Sequence, residues 1–374
     1  MMTTLPLSRS TQAAVGGPSQ QLYLLLREAP DRAAATAYLQ RRLTEAAALP
    51  AAWSGGLPEL ENWLELRGRN RAEEFRHYQQ GRQEGAPRRH FATLAQARRF
   101  LCVQAPGLLA EGAWLHSALD HWRQPPYMPL VKLYLDYLGK GVPAANHVAQ
   151  VRQVLAVQAC ATWQDLEDSG FVQGAIRLAL ASTGERYLPE LLGYQLATPD
   201  QPAAQPSILL ELAELGIALP PPPPSDAIVL NVLRALHGAA PEDASQLMQR
   251  LELGYGLGRI GLQTLPATPE DGAPQDPPAA NGSATPAMFA PPAGDAAAPA
   301  QDDPRPILRH RFDGDEHAWE TITSDLGLLE AQIAACSGKG EAMTMLARHM
   351  GPAVHHQPLG LMAARVYAQL FALA

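Results

Sequence analysis

The stretch Tyr134-Leu135-Asp136-Tyr137-Leu138-Gly139-Lys140-Gly141-Val142-Pro143-Ala144-Ala145-Asn146-His147 contains one helix ending and another beginning. Its first half continues a run of apolar residues at helical spacing that starts near Pro129. Two glycines and a proline within five residues then disfavour any continuation, because glycine loses the most backbone entropy in a helix and proline brings no N–H. The spacing therefore predicts helices over about 129–138 and 144–160, joined by a break that lets His147 start a helix folding back on the first.

The same periodicity extends in both directions. Leu22, Leu25 and Leu26 begin a first helix, and Ala34 to Leu49 is rich in strong helix formers. Leu57 to Gly81 spaces Leu60, Trp63, Leu64, Phe75 and Tyr78 among charges, as one or two amphipathic helices. Further helices are expected from about Thr93 and over Leu108–Trp122, Asp165–Ser182, Tyr187–Leu196, Ser207–Leu215, Asp226–Leu236 and Pro241–Gly254. No convincing strand pair lies between them, so the expected class is all-α.

Composition bounds the rest. Of 374 residues 47% are hydrophobic and 18% charged, ample for a buried core. A formal net charge of −8 argues against nucleic acid or an anionic membrane as the main partner. Cys102, Cys160 and Cys336 form no paired spacing, so neither a disulfide framework nor a zinc site is expected, and a reducing cytoplasm fits. Met1 to Gln20 lacks a basic start and long apolar core, and no stretch reaches the roughly 20 apolar residues that span a bilayer. The expectation is a soluble chain.

Four regions follow. Residues 1–20 are expected as a flexible tail and 21–264 as the main helical domain. Residues 265–305, dominated by Pro, Ala, Gly and Asp, read as a disordered linker that cannot bury enough apolar surface to offset its ordering entropy. Residues 306–374 return to helical patterning. The last helix, Leu359 to Leu373, is too apolar to stand alone and is expected to dock on the main domain.

Several landmarks occur in a definite order: Ala110-Glu111-Gly112-Ala113-Trp114-Leu115; Tyr134 through Gly141 to Asn146-His147; Phe171-Val172-Gln173-Gly174-Ala175; Glu185 through Tyr194; and Leu253-Gly254-Tyr255-Gly256-Leu257. Together, over roughly Ala86 to Leu262, they resemble the iron-containing redox enzyme family. The resemblance implies a haem-oxygenase-like multi-helix bundle, here with a C-terminal helical extension, and a non-haem iron centre that activates dioxygen against a small molecule. Carboxylates and imidazoles from facing helices would hold such an iron with open positions for oxygen and substrate.

The resemblance implies a first ligand at Glu111, a His at His147 and a late carboxylate at Asp226. Where the family pattern has a second Glu, ten residues before the His, this chain has Tyr137; where it has a His one turn after the late Asp, it has Val229. The His upstream of that Asp falls among Pro220 to Pro224. Glu190, Glu185 and Asp136 are the carboxylates nearest in the pattern that could take over, although Asp136 is rotated by about 100° from position 137 on a helix. The candidate metal set is thus Glu111, His147, Glu190 and Asp226, with no catalytic residue assigned.

Each of these also has a plain structural reading. Glu111 and Glu190 suit a helix start, where a carboxylate meets the positive end of the dipole. Asp226 or Ser225 suits an N-cap after the proline run, and His147 suits a hydrogen-bonded histidine at a helix start. Gly254 to Gly258 lacks the strand and lysine of a phosphate loop. Adjacent His355 and His356 diverge too much to share a metal and read as a turn. Arg67, Arg69 and Arg71, balanced by Glu65, Glu73 and Glu74, are expected as a solvated face.

Two readings of function remain open. One is an iron-dependent oxidoreductase acting on a small-molecule substrate. The other is a non-catalytic descendant, a pseudoenzyme that keeps the helical body and serves as an accessory to a partner protein. A homodimer is compatible with either.

Overall fold

A computed structural model describes residues 16–263 and 316–372. The expected linker over 265–305 and most of the expected tail over 1–20 lie outside the described residues. Among those described, the chain is all-α with no strand.

Eleven α-helices build the main body: α1 Pro18–Glu28, α2 Arg32–Ala47, α3 Leu57–Gln83, α4 Leu94–Leu108, α5 Met128–Tyr137, α6 His147–Val157, α7 Val172–Thr183, α8 Leu188–Ala197, α9 Pro206–Glu214, α10 Asp226–Ala239 and α11 Ala244–Gln263. Three more follow among the described C-terminal residues: α12 Glu316–Ala335, α13 Lys339–His349 and α14 Pro358–Ala372. Local chemistry sets several starts. Asp31 accepts from the Ala34 N–H at 2.9 Å to cap α2, and Asn146 accepts from the Ala149 N–H at 3.0 Å to cap α6. Thr93 and Gln96 form a reciprocal box at the start of α4.

Where spacing alone suggested one helix over Leu108–Trp122, the chain breaks. Gly112 takes a left-handed conformation, φ 76°, and Ala113–His121 continues as a 3₁₀ helix. The break at 139–141 has the same cause, with Gly139, Lys140 and Gly141 all at positive φ before α6 begins at His147. In the other direction, α3 is one continuous helix, and α11 runs well past Gly254 to Gln263.

Helix α7 occupies the centre, packing against α1, α2, α4, α11 and the 113–121 segment. Eleven of its twelve residues are buried, which leaves no solvated face. Helices α8 and α11 pack along each other most extensively. Their approach depends on Gly193 and Gly254, where a Cβ would run into the Leu251 and Glu190 carbonyls respectively. The C-terminal pair α13 and α14 lies over the 139–141 break and the 113–121 segment. Tyr134 donates its hydroxyl proton to the Met350 carbonyl at 2.6 Å.

Candidate functional site

The polar interior sits where α7 passes the 109–113 turn. Arg177, 2% exposed, projects from α7 into it. Its Nε donates to the Tyr194 hydroxyl at 2.9 Å and one terminal nitrogen to the Gly107 carbonyl at 2.6 Å. That nitrogen also forms an ion pair with Glu111 Oε2, and the other donates to the Gln201 side-chain carbonyl. The guanidinium carbon lies 5.0 Å from the centre of the Trp114 ring. The second Glu111 oxygen accepts from the Tyr137 hydroxyl at 3.5 Å. Burial works against a charged Arg177, yet the facing Glu111 carboxylate holds its pKa above the ordinary guanidinium value.

A second tier of polar groups surrounds this pair. Trp114 donates its indole proton to Gln195 at 2.7 Å. Gln195 in turn donates to Thr198 at 3.1 Å and to Ser225 at 2.9 Å. Gln201 donates to the Tyr194 hydroxyl at 3.3 Å. Such a network is costly to assemble but strongly specifying once its members are satisfied.

His147 lies on the other side of Tyr137, their ring centres 5.7 Å apart at 74°. It is 5% exposed, and burial lowers its pKa, leaving a neutral imidazole at pH 7. Burial first, and the Glu111 charge second, raise the Tyr137 phenol well above its ordinary range.

Two of the four candidate ligands therefore share a neighbourhood, both touching Tyr137. The other two are elsewhere. Glu190, buried on α8, is clamped by Arg250 of α11 through bonds of 2.8 and 2.7 Å. Asp226, at the start of α10, pairs with Arg67 of α3 at 3.0 Å. Their guanidinium partners explain the separation: each carboxylate is neutralised across a helix interface by its own arginine. Either Ser225 or Asp226 was expected to cap α10; Ser225 holds the N-cap position but makes no side-chain cap bond, its hydroxyl accepting from Gln195 instead.

The substitute carboxylates do not repair the set. Asp136 pairs with Lys140 on the surface at 3.2 Å. Glu185 is 72% exposed and lies 3.6 Å from His121. Among the described residues no group of three or more His, Cys, Asp or Glu side chains is placed to hold a metal ion. The residues present do not fit the iron centre that the resemblance implies, because Glu111 has both oxygens committed to Arg177 and Tyr137.

One further expectation changes, and two regions gain detail. Arg67 does not belong to a solvated face: its side chain is 10% exposed and also bonds Asp200 and the Leu196 carbonyl. Cys102 and Cys160, far apart in sequence, are neighbouring thiols. His355 is buried in the turn before α14, where Asn146 lies 3.3 Å from its Nδ1. The residue most missed by sequence reasoning is Arg177. Its signal was present: a lone arginine within Gly174-Ala175-Ile176-Arg177-Leu178-Ala179-Leu180 must find a buried partner if that helix is buried all round.

No protein-family model matches this chain, and no curated protein or solved structure matches it. Among the described residues no helix is long and apolar enough to cross a membrane.

Proposed function

We propose that this chain is a non-catalytic helical-bundle protein, an accessory that acts through a partner protein, descended from a haem-oxygenase-like iron oxidase. The observation that carries the reading is Arg177. A guanidinium, itself a fixed cation, satisfies the Glu111 carboxylate on which an iron centre would depend, and Tyr137 stands where a second carboxylate is needed. Burial and the facing Glu111 charge keep the Tyr137 phenol protonated, so it donates to that carboxylate. What remains is a structural clasp joining α4, α5, α7 and α8.

Anaerobic reconstitution with ferrous iron, followed by metal quantitation and oxygen exposure, tests this. The expected result is a substoichiometric trace with no optical change. One iron per chain, lost in both Glu111→Ala and His147→Ala, would restore the oxidoreductase reading and overturn this one.

A further inference from the structure

A cleft separate from the Glu111 cluster lies between the end of α1, helix α6 and the segment that follows it. It is open to solvent, has a volume of about 300 Å³ and is lined by Arg27, Arg152, Leu109, Leu155, Trp163, Gln164 and their small neighbours. That volume is at the lower end of small-molecule sites.

Its charges are one-sided. Arg27, half-buried in the last turn of α1, lies with its guanidinium carbon 5.2 Å from the Trp163 ring centre and 5.6 Å from that of Tyr23. The two rings, at 86° to one another, hold the cation by its attraction to their π faces. Arg152 of α6 stands exposed at the rim, and the Arg27 charge adds to burial in lowering its pKa. Neither forms an ion pair with a carboxylate among the described residues. This contrasts with Arg67, Arg177 and Arg250, each neutralised by an acid.

Behind the cleft, the fully buried Tyr23 hydroxyl faces the Arg27 guanidinium. His356 Nδ1 is buried and has no hydrogen-bond partner. Burial first, and the charges of Arg152 and Arg27 next, push the His356 pKa down to about 4, so the imidazole adds no charge at pH 7. Apart from the two arginines and Gln164, the lining is Leu109, Leu155, Trp163, Cys160 and three alanines, which give one side of the cleft a carbon surface.

We propose that this cleft binds a small carboxylate with an apolar body, its head between Arg27 and Arg152 and its tail against Leu155 and Trp163. Two guanidinium groups match the two oxygens of a carboxylate. Leu109, Leu155 and Trp163 offer apolar surface that a hydrocarbon tail can cover and inorganic phosphate cannot. The site is independent of the Glu111 cluster and does not rest on the functional reading above.

Thermal shift and calorimetric titration of the full chain with hexanoate test the site, against hexanamide, inorganic phosphate and chloride at matched ionic strength. Hexanoate is expected to bind saturably at millimolar concentration and raise the melting temperature, with hexanamide and phosphate at least tenfold weaker. Arg152→Gln is expected to cut affinity at least tenfold, whereas Arg152→Lys keeps most of it. Ala156→Trp, which fills the cleft from an exposed position and leaves both arginines in place, is expected to abolish binding. No saturable hexanoate effect beyond chloride overturns the proposal. So does equal binding by hexanamide or phosphate, or unchanged affinity in folded Arg152→Gln and Ala156→Trp proteins.

Discussion

A guanidinium held away from water survives only if its donors are met, and Arg177 meets them with a carboxylate, a carbonyl, a phenol and an amide. Arg177→Leu should therefore destabilise the fold by about 3–5 kcal/mol, chiefly because the Glu111 charge is left buried and unpaired. Denaturant unfolding of the double variant with Glu111→Leu provides the check. Removing both charges should recover much of that loss, and a fully additive penalty would show that the two side chains do not act as a pair. Glu111 and His147 were legible in sequence as interior polar residues. Their partner was not, because an ion pair joining positions 111 and 177 follows no local spacing and Arg177 carries only the weak signal of being alone among apolar neighbours. Glu190 and Asp226 misled for the same reason: a carboxylate at a helix start looks alike whether iron or an arginine from α11 or α3 awaits it.

Helix spacing was legible, and its interruptions less so. Periodicity finds α5, the 139–141 break and the start of α6, since glycine and proline announce themselves. It misses the turn at Gly112, because the flanking residues keep a helical pattern through a 3₁₀ segment. It also misjudges Gly254, which lies inside α11 to admit α8 and not to end a helix. Gly193→Ala should consequently push α8 and α11 apart, costing about 1–3 kcal/mol as an overpacked contact. Melting curves of Gly193→Ala against an Ala replacement at Gly68, where a Cβ meets nothing, would show it; equal stability would refute the close approach. A second contact joins α4 to the end of α6. Cys160 Sγ lies 3.6 Å from the Arg98 carbonyl, one turn before Cys102, and side chains on a helix lean toward the preceding turn. Burial first, and the nearby Cys102 thiol next, push the Cys160 thiol up to about 12. Treatment with diamide, which takes up the two hydrogens, should convert the pair to a Cys102–Cys160 disulfide in peptide maps. Closing so long a loop should then stabilise the chain by about 4 kcal/mol on the entropic account. Alkylation of both thiols after oxidation would contradict the pairing.

At the scale of the molecule, the C-terminal helices carry a concentration of neutral histidines into their contact with the body. His355 faces Asn146 at 3.3 Å, and His116 faces the Ala347 carbonyl at 3.0 Å. The charges nearest His355 are those that His356, His116 and His147 would acquire, so protonation anywhere in the group opposes the rest. Burial first, and these neighbours second, push the His355 pKa down to about 3, against 6.5 in an open chain. The folded protein thus binds this proton more weakly than the unfolded one. Stability from His355 is complete above pH 6.5 and is lost as pH falls from there toward 3, at about 1.4 kcal/mol per pH unit. At pH 4.5 the loss from His355 alone should be about 3 kcal/mol. Urea unfolding at pH 7.0 and 4.5 measures it, and His355→Gln isolates it. The variant should lose less stability than the parent over the same interval, by roughly the amount that one depressed histidine supplies. An identical pH slope in both proteins would place the acid sensitivity elsewhere. Because His116, His355 and His356 lie on or against α13, α14 and their connecting turn, acid should release that segment first, raising proteolysis within 339–372 before the main body unfolds.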